Sequence, residues 1–166
     1  MRAEVDAVAR GEAIGPEHLD RLVVTTQVLK EAMRLYPPAP VLTRHVAEPV
    51  EIGGQSVGAG TLVVIPIYAV HRHRSLWKDP DRFDPGRFVA GREEARYRTQ
   101  FMPFGFGPRT CIGMSFAIIE ASVLLATLVR GARFAWDGSH APEPVSRITL
   151  RPKGGMPLLV EPLLAR

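Results

Sequence analysis

Apolar and polar positions change rhythm several times along the chain, and each change predicts an element. Residues 3–10 read as a short helix that Gly11 ends. Pro16 then opens a helical region whose apolar positions are Leu19, Leu22, Val23, Val28, Leu29 and Leu35, stopped by Pro37 and Pro38. Between residues 41 and 66 the rhythm turns to short strands broken by Gly53, Gly54, Gly58 and Gly60, with 61–65 the most β-prone run. A turn of helix is expected over 67–73, and a proline-punctuated meander over 78–103. The stretch 114–130 is amphipathic. Its middle, 116–129, is the most apolar segment and carries Glu120 and Ser122, so it is expected to be a buried core helix too short to span a membrane. Late strands are expected over 132–136, 148–150 and 158–160. No repeat or low-complexity segment interrupts this order, and the expected fold class is mainly α with small β-sheets, α+β.

Composition narrows the function classes. The chain has 166 residues, 46% hydrophobic and 23% charged, enough apolar surface for the core of one domain. The net charge is +4, but 21 basic residues are scattered among 17 acidic ones without runs, which argues against a nucleic-acid partner. Residues 1–6 have no apolar core of a leader, and no uninterrupted apolar run approaches a membrane span, so no membrane span and a cytoplasmic address are expected. His18, His45, His71, His73 and His140 lack metal-ligand spacing.

The chain has one cysteine. Cys111 can form no internal disulfide and no multi-cysteine zinc site, which leaves buried filler, nucleophile or single axial ligand. Its neighbours favour the ligand. Gly105, Gly107 and Pro108 make a tight loop able to wrap a flat cofactor, and the start of a helix favours thiolate over thiol. Gly113 lets the backbone approach a macrocycle, and Arg109 presents a planar fork suited to a carboxylate such as a haem propionate.

Phe104, Gly107, Arg109, Cys111 and Gly113 fill the pattern F-x-x-G-x-R-x-C-x-G, and on these residues the chain resembles the cytochrome P450 family, of bacterial type. Ala117 and Glu120 follow at the family's usual helix positions. Two upstream motifs strengthen the resemblance: E-x-x-R at Glu31 and Arg34, and Pro85-Gly86-Arg87-Phe88, in which Gly86 replaces the family's usual acidic residue. An isolated acid and base three apart on a helix are commonly only a surface pair. The resemblance instead assigns Glu31, Arg34 and Arg87 to one buried structural triad.

By this resemblance residues 1–166 correspond to the C-terminal, haem-binding part of a truncated cytochrome P450 fold, without the N-terminal majority or the oxygen-side helix. It implies a haem-thiolate monooxygenase with haem b, Cys111 as the iron ligand, and Phe104, Gly105, Ile112, Gly113 and Ala117 against the cofactor. Arg109 and Arg44 would anchor propionates. The implied partners are an electron donor, ferredoxin or flavoprotein reductase, and an apolar small-molecule substrate near Val41 and Leu42. Lys30, Arg98 and Arg109 are basic positions for the donor. His71-Arg72 matches a family dipeptide expected to hydrogen-bond within the fold or near a propionate. Thr25 and Thr26 read as helix packing, and Phe101, Met102 and Phe106 as loop packing, with Phe106 near the haem face. Other readings are an inactive remnant or interaction module, and a peroxygenase or isomerase on the same scaffold.

Overall fold

Helices form where the apolar period and the end signals agree. A computed structural model describes residues 1–91 and 99–163. The first helix, α1 (Arg2–Ala9), ends where Arg10 turns left-handed at φ 49° and donates its N–H to the Asp6 carbonyl. The region after Pro16 is not one helix. It is a 3-10 turn, Pro16–Arg21, followed by α2 (Val23–Leu35), with Leu22 off helical geometry between them. The cause of the break lies on α1. Its Glu4 carboxylate accepts from the N–H groups of Val24 at 2.6 Å and Thr25 at 3.0 Å and from the Thr25 hydroxyl at 2.9 Å, which gives α2 an N-terminal cap of its own. Thr25 is thus a capped, buried position rather than generic helix packing. Thr26 bonds back to the Leu22 carbonyl at 2.9 Å.

The glycine-broken region forms two separate antiparallel pairs, not one sheet. Strand β1 (Leu42–His45) pairs with β4 (Leu62–Ile65), and β2 (Val50–Ile52) with β3 (Gln55–Val57). The expected turn of helix is α3 (Ile67–Val70), and a 3-10 turn, Pro85–Phe88, lies in the meander. After the cysteine loop comes α4 (Met114–Gly131), then β5 (Ala132–Trp136), β6 (Pro144–Ser146), β7 (Leu150–Pro152) and β8 (Leu158–Pro162). β5 pairs with β8 and β6 with β7. The strand expected over 148–150 begins only at Leu150, because Ile148 sits exposed in the β6–β7 turn.

Val5, Leu22 and Ala126 form a small buried core, packed by Val8, Ile14, Leu19 and Val129, that ties α1, the first 3-10 turn and α4 together. The expectation of a buried α4 is overturned. Only Ser122 and Ala126 of its residues are buried, while Phe116, Ile119, Leu124 and Leu128 are exposed. Its 18 residues also have the length and composition of a membrane-crossing helix, a test that core helices of soluble proteins pass as well.

Candidate functional site

Glu31 and Arg34 lie one turn apart on α2 and both are fully buried. Arg34 Nε and Nη2 donate to the two Glu31 oxygens at 2.7 and 2.9 Å, a bidentate pair. The guanidinium then fans out along the following chain, donating to the carbonyls of His71 at 2.8 Å, Pro80 at 2.7 Å and Arg82 at 3.1 Å. Glu31 also accepts from the Asp84 N–H at 2.8 Å and lies 3.4 Å from Arg87 Nε. Arg87 reaches the carbonyl of Asp79 at 2.7 Å. The structure therefore brings Glu31, Arg34 and Arg87 together, with meander backbone from Lys78 to Asp84 supplying the acceptors and donors that make such a buried charge set tolerable. Gly86, the departure from the family pattern, donates its N–H to the Asp84 side chain at 3.0 Å and keeps the turn closed.

His71 was given only a general role within the fold, and its place is more specific. The ring is fully buried, stacks on Phe101 at 5.4 Å between centroids, and accepts the Met102 N–H at Nε2 at 3.0 Å. Burial, the largest effect, pushes its pKa down to about 4, with the Arg34 cation adding to the depression. Phe101 in turn meets Phe88, and Phe88 meets Trp77. Arg72 next door stacks on the Tyr68 and Tyr36 rings at 3.9 and 5.3 Å. No residue pattern in the sequence marked these aromatic contacts, since most of them join positions between eleven and thirty-six residues apart.

The cysteine loop follows directly. Gly105 and Gly107 both take positive φ, 79° and 80°, which a side chain disfavours. A Cβ on Gly105 would also stand 3.3 Å from Leu42 Cδ1, so β1 starts against the loop. The Cys111 N–H donates to the Phe104 carbonyl at 2.9 Å and closes the loop. A short 3-10 turn, Gly107–Arg109, lies inside it, and Gly113 is the N-cap of α4. Cys111 is exposed, and a Cβ on Gly113 would come 3.8 Å from its sulfur. Around it Ile112, Phe106, Met114 and Phe116 are exposed apolar side chains. Arg109 is exposed, Ala117 and Phe104 are half-buried, and Arg44 is exposed on β1 with one N–H on the Thr43 carbonyl at 2.8 Å. Arg98 lies outside the described residues.

This donor set fits a haem. Among the described residues no three His, Cys, Asp or Glu side chains gather as a metal site, so a metal held by Cys111 takes its remaining ligands from outside this set, as a macrocycle would provide. The exposed apolar side chains around the sulfur, with the Arg109 cation on the same loop, suit a flat apolar group with carboxylates at its rim.

A sequence model of the family described as Cytochrome P450 matches residues 1–159. The chain is 40% identical over 151 residues to Cytochrome P450 4B1 of Rattus norvegicus, covering 90% of this chain and 30% of that protein. It is 40% identical over 149 residues to the Taurochenodeoxycholic 6 alpha-hydroxylase of Sus scrofa, covering 89% and 29%. The crystal structure of the cytochrome P450DA heme domain superposes with a TM-score of 0.90 at 29% identity over 98% of this chain and 36% of that one. The chain thus spans about a third of the length of these relatives. Likeness to mammalian enzymes gives no support to a bacterial type. It also overturns the cytoplasmic expectation. That expectation rested on the lack of an apolar leader, which has no force in a chain covering a third of its relatives, and on the lack of any run long enough to span, whereas α4 is one.

Proposed function

Because the chain belongs to the cytochrome P450 family, we propose that it is the C-terminal, haem-binding portion of a haem-thiolate monooxygenase. The observation that carries the proposal is a lone, exposed cysteine closed onto the Phe104 carbonyl by its own N–H, in a loop held by two left-handed glycines. Cys111 holds the haem iron through its sulfur. Bound haem supplies O2 activation and insertion of one oxygen atom into an organic substrate, with electron donation from the thiolate favouring O–O cleavage.

The chain's own residues prepare that site. Gly105 and Gly113 keep the backbone close to the cofactor plane, while Phe104 shields the sulfur and Ile112 and Ala117 cover the ring. With haem bound, the N–H groups of Ile112 and Gly113 would be the donors available to the sulfur and would moderate its donation. Arg109 and, from β1, Arg44 bind propionates. Glu31, Arg34 and Arg87 touch neither substrate nor cofactor; they hold the meander that leads into the loop. A ferredoxin or flavoprotein reductase supplies electrons, and Val41 and Leu42 point to an apolar substrate. The test is the reduced, carbon-monoxide-difference spectrum of the chain expressed with haem. A Soret band at the red-shifted thiolate position that disappears in Cys111→Ser supports the proposal. An unchanged spectrum in Cys111→Ser refutes it, and no haem uptake at all favours a truncated piece that needs the rest of a longer chain to hold the group.

A further inference from the structure

We propose that the neutral His71 imidazole is the positioning residue that couples the Glu31–Arg34 pair to the chain entering the Cys111 loop. The coupling is a continuous run of short contacts. Glu31 holds Arg34, Arg34 Nη1 donates to the His71 carbonyl at 2.8 Å, and His71 Nε2 accepts the Met102 N–H at 3.0 Å. The Met102 carbonyl accepts the Gly105 N–H at 3.0 Å, and the Phe104 carbonyl accepts that of Cys111 at 2.9 Å. The ten residues from Met102 to Cys111 therefore hang from one imidazole nitrogen at their start and close through one cysteine amide at their end.

Two features separate this from ordinary core filling. A ring that accepts at Nε2 carries its single proton on Nδ1, and a doubly protonated ring has no lone pair left for Met102. Full burial, with the cationic Arg34 and Arg72 close by, keeps the ring in the neutral form the contact needs. The ring also stacks on Phe101, the residue before Met102, so it fixes both the position and the direction of the chain there.

The reading of Cys111 as a ligand gives this coupling its purpose, but the test needs no haem. His71→Gln places a carboxamide oxygen the same number of bonds from Cα as Nε2. His71→Phe keeps the ring and its stacking and removes the acceptor. Leaving a buried amide unpaired raises local opening roughly 5- to 150-fold. On the full chain, His71→Phe should accelerate hydrogen exchange at the Met102 and Cys111 amides by a factor in that range, with exchange in α1 unchanged; His71→Gln should stay within about threefold of the parent. If His71→Phe does not fold, His71→Asn, whose carboxamide sits at the Nδ1 position, replaces it in the same comparison. Equal exchange at both amides in the Gln variant and in the Phe or Asn variant overturns the proposal. A haem spectrum unchanged by Cys111→Ser, with the exchange pattern intact, would sink the ligand reading alone.

Discussion

Glu31→Ala is the sharpest single perturbation the structure offers. The carboxylate receives Arg34 Nε at 2.7 Å, Arg34 Nη2 at 2.9 Å and the Asp84 N–H at 2.8 Å, and it faces Arg87 Nε at 3.4 Å, all at a fully buried position. Truncation leaves the Arg34 guanidinium buried with carbonyl acceptors but no counter-charge. Breaking a buried pair from one side costs about 3–5 kcal/mol, a large share of the ~5–15 kcal/mol that stabilises a domain. With a urea slope of about 2 kcal/mol/M, the unfolding midpoint should fall by roughly 1.5–2.5 M. The loss belongs to the pair if the double variant with Arg34→Ala is less destabilised than the sum of the single ones. A midpoint within about 0.5 M of the parent would refute the account, since it would show that the charges are already hydrated and the meander is held by something else.

Three further outcomes follow from the same contacts. His71 has its folded pKa depressed from 6.5 to about 4, so the unfolded chain takes the proton first as pH falls. Its contribution is complete above pH 6.5 and is lost from there down to about pH 4, at up to about 1.4 kcal/mol per unit; urea midpoints taken across that window should slope less in His71→Gln than in the parent. Gly105→Ala should cost about 1–2 kcal/mol by the same assay, from a positive φ and the approach to Leu42, whereas Gly58→Ala, at ordinary φ with open space around it, should cost little. Glu4→Ala removes three acceptor contacts at the start of α2 and should lower stability by about 1–2 kcal/mol and helix content by circular dichroism, while Glu4→Gln, which keeps an acceptor, should retain part of both.

The cysteine loop, the placement of α1 and α4 and the end of α2 were legible in the sequence because each is set by local signals. Glycine at positive φ, proline at a helix stop and apolar spacing act within a few residues, and a linear string records them. The Glu31, Arg34 and Arg87 grouping was legible only through the family resemblance, because Glu31 meets Asp84 across 53 residues and no local rule predicts that meeting. The division of the helical region after Pro16 escaped the sequence for the same reason: its cap comes from Glu4, twenty residues back. The exposed face of α4 is the clearest difference. Its composition reads as a core helix, yet burial depends on what packs against a segment, and the described chain covers only Ser122 and Ala126. By itself the sequence determined where helices stop, where the backbone must turn left-handed and which residue carries the single thiol, since those are properties of neighbours along the chain. Tertiary structure alone decided which face is covered, that His71 carries the Met102 amide, and how one carboxylate serves two arginines, since those depend on distances between segments that only the folded chain brings together.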